Sequence, residues 1–261
     1  MILLILQQNG ILGWKKMDNK FIIFSCGYNC EKYIEYHIHS INSQSYKNYH
    51  HIIVDDASTD KTFDQAMPHM EEKRSVFFNK NNQKWIPNAL KYLDAYIDDG
   101  EEIIVLVDLD DCLYHSDVLS LLNNVYNKKD CWMTYSLFVD SNSYISSWIP
   151  RYTEEDYLMR NYRNHIWSFT HLRTFKAFLW TELDKNDLKG PDGQYAKYSY
   201  DRFVLIPMLE MSSPNKIQFI NNVMYYYNNA NPLQVEKNHR QEQENLAHYV
   251  DQKIRYRRLK R

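Results

Sequence analysis

Residues 103–111 read IIVLVDLDD, five apolar positions in a row that run into three carboxylates. An uninterrupted apolar run of this length is the pattern of a strand covered on both faces, as strands of parallel sheets are. Asp108, Asp110 and Asp111 then fall within four residues at its carboxyl end. Like charges crowded at a buried strand end disfavour one another's ionised forms, so something positive is expected among them.

The same pattern repeats on either side. FIIFSCGY (21–28) and YHHIIVDDAS (49–58) read as buried strands, and SVFFNK (75–80) as a shorter one. EKYIEYHIHSINSQ (31–44) sets Tyr33, Ile34, Ile38 and Ile41 at helical spacing, and TDKTFDQAMPHM (59–70) starts a helix with Thr59 or Asp60 as N-cap. NALKYLDAYID (88–98) places Leu90, Leu93 and Ile97 on one helical face, and SDVLSLLNNVYN (116–127) reads as a helix capped by Ser116 or Asp117. Alternating strands and helices with short connections predict an α/β fold: one Rossmann-like, mostly parallel sheet flanked by helices in a single domain. Beyond residue 130 the pattern loosens. CWMTYSLFV (131–139) and IQFINNVMYYYN (217–228) read as strands, DRFVLIPMLEMS (201–212) as a helix interrupted by Pro207, and 236–258 as a final charged helix.

Composition narrows the function classes. A net charge of −2 over 261 residues argues against a nucleic-acid partner, which draws a basic surplus. The opening apolar run stops at Leu6, too short to span a bilayer, and lacks a basic leader and a small-residue cleavage site. No other stretch approaches a transmembrane segment, so a cytoplasmic location is expected. Met17 lies just before the first convincing strand, which makes residues 1–16 an N-terminal extension. Cys26, Cys30, Cys112 and Cys131 show no zinc-like pairing and read as reduced thiols.

In open α/β sheets, ligands bind beyond the carboxyl ends of the strands. Three polar clusters fall there: Cys26, Tyr28 and Asn29 after the first strand, Asp55 and Asp56 after the second, and the Asp108–Asp111 group after the fourth. Carboxylates converging on one rim favour a hard divalent cation, Mn²⁺ or Mg²⁺, and phosphate oxygens can complete its shell. Capping of the following helices would explain one such aspartate but not the pair Asp110–Asp111. Neither GxGxxG nor GxxxxGK[ST] occurs, which disfavours dinucleotide dehydrogenases and P-loop enzymes.

These residues carry a resemblance. FIIFSCGYNCEKYIEYHIHSINSQSYKNYHHIIVDDASTDKTFD (21–64) resembles the opening of glycosyltransferase family 2, nucleotide-sugar transferases of the GT-A fold. Tyr28–Asn29, the stretch from Ser40 to Gln44, and Asp55 to Asp60 match that family's motifs in order, and VDLDDCLYHSDVL (107–119) is similar to its DxD segment. The resemblance covers about residues 20–130. It implies a metal-dependent inverting transferase that moves a sugar from a nucleoside-diphosphate sugar, UDP-linked, to a glycan, lipid or protein acceptor. It divides the chain into a nucleotide-sugar-binding half (17–130) and an acceptor-binding half (131–261).

By the resemblance, Asp56 accepts from the uracil ring with Tyr28 packed beside the base and Cys26 nearby. Asp108 or Asp110 faces the ribose, Asp110 and Asp111 hold the metal, and Asn88 contacts the donor. Lys84 is either a phosphate contact or a surface lysine. Ala57 stands where the family commonly has glycine.

Inverting transfer needs a general base for the acceptor hydroxyl. YSYDRFVLIPMLEM (198–211) resembles the family's base-bearing helix start and nominates Asp201, with Glu210 in reserve. A carboxylate at a helix start is also an ordinary cap. In WSFTHLRTFKAFLW (167–180), His171 and Arg173 are expected to line the cleft, and the aromatic residues serve either sugar stacking or the core. The tail KIRYRRLKR (253–261) reads first as a solvated helix end, with an anionic contact as the alternative. Two rival functions are a sugar-1-phosphate nucleotidyltransferase, which would need a glycine-rich basic loop absent from SCGYNCEKY, and a catalytically inactive sugar-nucleotide-binding protein.

Overall fold

The first strand, β1 (Phe21–Gly27), sits in the middle of the parallel region, and its residues alternate between two cores. Ile22 and Phe24 pack on one face with Trp85, Trp180 and Phe203; Phe21 and Ile23 pack on the other with Leu119 and Leu122. This is the period-two consequence of the pleat, and it explains why the run is apolar throughout rather than alternating. The structure, a computed structural model, describes residues 18–261, so the extension expected over 1–16 lies outside the described residues.

From β1 the chain runs through α1 (Ile34–Asn42), β2 (Tyr49–Asp55), α2 (Thr62–Ala66), β3 (Arg74–Phe78) and α3 (Trp85–Asn88). Then follow β4 (Ile103–Leu106), the short β5 (Cys112–Leu113), α4 (Val118–Lys129), β6 (Met133–Asp140), α5 (Glu154–Met159) and β7 (Arg173–Lys176). The remainder is α6 (Ala177–Thr181), α7 (Tyr200–Met211), β8 (Ile217–Tyr227), α8 (Val235–Asn238) and α9 (Arg240–Asp251). One eight-stranded sheet, ordered β3-β2-β1-β4-β7-β6-β8-β5, crosses both halves of the chain. The α/β single-domain expectation holds, but the sheet is mixed: β4–β7, β7–β6 and β5–β8 are antiparallel and the other four pairings parallel.

Local departures have physical causes. The helix expected over 88–98 starts earlier, at Trp85, and widens to a π-helical turn over Ala89–Leu93 before closing as a 3₁₀ turn. Helix α7 continues through Pro207, which is buried along with its neighbours and held by tertiary packing. The final helix stops at Asp251; Gln252 and Lys253 form a turn, and residues 254–261 follow without helix or strand. All four cysteines are free in the structure. Among the described residues no helix is long and apolar enough to cross a membrane.

Gly27 ends β1 where nothing larger fits. A Cβ there would stand 2.5 Å from the Leu109 Cβ and 2.9 Å from the Cys30 Sγ. The missing side chain lets the acidic turn after β4 lie directly against the end of β1.

Candidate active site

The carboxyl ends of β1, β2 and β4 form one rim, and the acidic residues stand along it. Asp56, just beyond β2, is buried, and its carboxylate accepts three hydrogen bonds. They come from the backbone N–H groups of Gln83 and Lys84, both at 2.8 Å, and from Asn79 Nδ2 at 2.9 Å. Asn79 Nδ2 also donates to Asn88 Oδ1 (2.6 Å), Asn88 Nδ2 donates to Cys26 Sγ (3.2 Å), and the Tyr92 hydroxyl donates to Asn79 Oδ1 (2.8 Å). Three residues nominated separately from sequence, Cys26, Asp56 and Asn88, therefore belong to one network, with Asn79 and Tyr92 as unforeseen members. Burial, reinforced by Asp56, raises the Cys26 pKa well above the usual thiol value, so the thiol keeps its proton.

Tyr28, two residues beyond Cys26, is 39% exposed. Asn29 and Ala57 both adopt left-handed backbone, at φ 55° and 68°. Glycine is the usual residue at such a position, and Ala57 holds it here at a cost of about 1 kcal/mol. Asp55 accepts from the Ser58 N–H at 2.8 Å, while its other oxygen is buried with no partner among the described residues.

The acidic turn after β4 splits into three environments. Asp108 accepts from the Tyr200 hydroxyl, 3.0 and 3.3 Å from its two oxygens, and burial followed by the charge of Asp110 raises its pKa to about 6. Asp110 is half-buried and accepts from Asn231 Nδ2 at 2.6 Å, with burial again raising its pKa. Asp111, expected beside Asp110 as a metal ligand, points inward. Its oxygens accept from the Tyr225 hydroxyl and the Asn228 N–H, both at 2.7 Å, and it is 1% exposed. Burial, then Asp110 and Asp108, raises its pKa well above the carboxylate range. Among the described residues no three His, Cys, Asp or Glu side chains converge as a ready-made metal cage.

The positive partner asked for by the sequence comes partly from the protein. Arg173 opens β7, whose antiparallel register sets it opposite Leu106, just before the acidic turn. Its guanidinium is buried, Nη2 lies 3.2 Å from Asp201 Oδ2, Nε donates to the Phe169 carbonyl at 3.1 Å, and its charge holds the Asp108 pKa down. Asp201 stands in the first turn of α7, and its Oδ1 accepts from the Arg202 N–H at 2.9 Å. The preceding residue, Tyr200, stacks on Trp85 with ring centroids 4.3 Å apart and planes 7° from parallel while bonding Asp108. Asp201 and Asp108 thus share a cation and an adjacent aromatic support.

The other nominated residues lie as follows. His171 stacks on Tyr225 (centroids 4.5 Å apart) and Tyr227 (5.5 Å). Its Nδ1 is buried without a partner among the described residues, and burial followed by Arg173 pushes its pKa well below the usual value. Lys84 ends the Asp56-bound loop, its Nζ 5.6 Å from the Tyr198 ring centre. Glu210 is fully buried in a two-pronged ion pair with Arg163, at 2.6 and 2.9 Å, and also accepts from the Tyr256 N–H. That carboxylate braces the C-terminal segment instead of serving as a reserve base.

Behind the acidic turn lies a buried polar chain that sequence reasoning missed. Arg74 Nε donates to His51 Nδ1 (3.1 Å), His51 Nε2 meets His37 Nε2 (3.2 Å), and His37 Nδ1 meets the Asp111 carbonyl (2.8 Å). The Arg74 donor fixes His51 as its Nε2–H tautomer. That proton then points to the His37 Nε2 lone pair, leaving the His37 Nδ1–H to bond the carbonyl. Burial lowers the His37 pKa to about 4 and that of His51 well below normal.

With this geometry in view, the likenesses to known proteins are consistent. The profile of glycosyl transferase family 2 matches residues 22–186. EpsE of Bacillus subtilis (strain 168) is 43% identical over 60 residues, 22% of each chain. Residues 1–349 of S. aureus TarS superpose with a TM-score of 0.61 at 19% identity, covering 80% of this chain and 60% of that one. The same TarS fragment with UDP-GlcNAc gives a TM-score of 0.61 at 18% identity, covering 80% of this chain and 58% of that one. The mannosyltransferase PcManGT of Pyrobaculum calidifontis, solved with GDP-Man and Mn²⁺, gives 0.52 at 16%, covering 82% and 58%. The chain thus spans about a fifth of the curated relative and three fifths of the first of these structures. The family profile covers well over half of the sequence, and the chain belongs to glycosyl transferase family 2.

Proposed function

We propose that this chain transfers a sugar from a nucleoside-diphosphate sugar to an acceptor hydroxyl with inversion, and that the nucleotide is UDP. The observation that carries this reading is the rim itself. A base-side network (Asp56, Asn79, Asn88, Cys26) stands on the same rim as an acidic turn (Asp108, Asp110) and a helix-borne carboxylate (Asp201), the last two joined through Tyr200 and Arg173. Family membership supports the reaction type, and the TarS complex with UDP-GlcNAc supports the uridine donor.

Each residue has a task in this reading. Tyr28 covers the uracil face, and Asp56 accepts from the ring while fixing the 79–84 loop. Asp108, held by Tyr200, faces the ribose, and Asn88 and His171 line the donor. The residues fit a hard divalent cation. Asp110 is half-buried, has one hydrogen-bond donor on one oxygen, and lies in a crowd of carboxylates whose raised pKa values a cation would lower. Asp110 would hold Mn²⁺ or Mg²⁺, and the ion would supply positive charge to the diphosphate as it leaves. Asp111 sets the turn so that Asp110 faces outward.

Asp201 takes the acceptor proton as general base, and Arg173 orients its carboxylate. The acceptor enters from the side of residues 131–261, past the Trp167–Arg173 segment. Release of UDP from a panel of UDP-sugars with Mn²⁺ tests the reading without knowledge of the acceptor. Turnover of at least one donor supports it, and no turnover together with no UDP binding refutes it.

A further inference from the structure

The most basic stretch of the sequence, KIRYRRLKR (253–261), takes no part in this site. It is strapped to the protein at alternate points. The Tyr256 N–H donates to Glu210 Oε2 at 3.0 Å, the Tyr256 hydroxyl donates to Asp187 Oδ2 at 2.7 Å, and the Leu259 N–H donates to the Met211 carbonyl at 2.9 Å. With Tyr256 and Leu259 turned against the core, Ile254, Arg255, Arg257, Arg258 and Lys260 face outward.

The end of α5 lies beside this strap and is exposed as well. Leu158 is 59%, Met159 67% and Ile254 91% exposed. The arginines bind the two segments into one patch. Arg258 Nη2 donates to the carbonyls of Tyr157 and Leu158 at 3.0 and 3.2 Å, and Arg160 Nη1 donates to the Tyr256 carbonyl at 2.7 Å. Arg257 and Lys260 have no side-chain hydrogen bond or ion pair among the described residues. The acids of α5 are Glu154, Glu155 and Asp156; Asp156 is tied into the capping box with Thr153, and Glu154 and Glu155 stand one turn before Leu158 and Met159.

Charge and shape together select the partner. Of the six basic residues in these nine positions, Lys253 and Arg261 are paired with Asp187 and Glu101. Arg255, Arg257, Arg258 and Lys260 remain without a carboxylate partner among the described residues, on a chain of net charge −2, so the local field is opposite in sign to the whole. Three protruding apolar side chains are too few for a dry protein interface. Apolar tips set among arginines match the boundary between anionic headgroups and acyl chains. We infer that the 253–261 strap and the end of α5 form a docking surface for an anionic lipid membrane, with Leu158, Met159 and Ile254 inserted and the basic side chains on the headgroups.

The test is co-sedimentation of the full chain with vesicles of phosphatidylcholine mixed with phosphatidylserine, against phosphatidylcholine alone. Binding to the mixed vesicles, weakened by salt, is expected. The double variant Arg257→Gln, Lys260→Gln should weaken it about thirtyfold, near fivefold per charge. Met159→Ser with Ile254→Ser should weaken it about tenfold or more, with an unchanged melting temperature because these side chains are exposed. Equal binding to both vesicle types, binding to neither, or unaltered binding by both double variants would overturn the proposal. Capture of heparin or RNA without vesicle binding would assign the patch to another polyanion and overturn it equally.

Discussion

Arg173 Nη2 lies 3.2 Å from Asp201 Oδ2, and the same guanidinium lowers the pKa of Asp108. One buried cation on β7 thereby joins a carboxylate of helix α7 to a carboxylate of the β4 turn. Removing one partner of a buried ion pair leaves the other uncompensated, which typically costs about 3–5 kcal/mol. Because Asp201 retains some solvent access, Arg173→Gln should cost nearer the lower figure, about 3 kcal/mol. A urea midpoint unchanged from wild type would show that the pair contributes nothing.

The two adjacent aspartates of the turn should behave oppositely. Asp111→Ala strips acceptors from the buried Tyr225 hydroxyl and Asn228 N–H, and each unsatisfied group costs about 1–3 kcal/mol. That variant should melt several degrees below wild type. Asp110→Asn should keep its fold while losing cation-dependent nucleotide binding. Thermal melts with and without UDP and Mn²⁺ separate the two; a stable Asp111→Ala protein would remove the inward-facing role given to that residue.

UDP should stabilise the protein only when a divalent cation is present, because the acidic rim repels a bare diphosphate. At about a hundred times the dissociation constant the gain is about 2.7 kcal/mol. An equal melting shift in the presence of a chelator would contradict the metal reading.

The buried histidines predict a pH dependence. His37 has its folded-state pKa lowered to about 4, against roughly 6.5 unfolded. Between those values the unfolded chain binds the extra proton, so this contribution is fully present above pH 6.5 and is lost as pH falls toward 4. Its size is about 3 kcal/mol. Asp108 works against it in the same range, since a raised carboxylate pKa favours the folded state toward low pH. The difference between wild type and His37→Asn isolates the histidine: the gap in stability should narrow as pH falls from 7 to 4. A gap constant with pH would show that His37 is not held neutral.

Much of this was legible in the sequence, for reasons that particular residues make plain. Strands β1, β2 and β4 announce themselves because burial on both faces leaves few polar positions (Ser25, His50 and His51 among them), and a parallel sheet then sends Asp56, Asp108 and Asp110 to the same rim. Sequence could not show which way each aspartate turns. Asp111 is decided by Tyr225 and Asn228, more than 110 residues away, and nothing local distinguishes it from Asp110. Arg173 was expected near the cleft, but its role as counter-charge depended on a four-residue strand, RTFK, too short to carry a period. The tail was read as helix because its charges suit a solvated helical face. Its anchors, Glu210, Asp187 and the Met211 carbonyl, are all tertiary.

Asp201→Asn tests the central claim most directly. The amide keeps the shape of the carboxylate and caps nearly as well, but it cannot take the acceptor proton. With the donor that wild type turns over fastest and with its acceptor, the variant should bind UDP and Mn²⁺ as wild type does. Its transfer rate should fall about 10²–10⁴-fold. Transfer at the wild-type rate would contradict the account and leave Asp201 as no more than the counter-ion of Arg173.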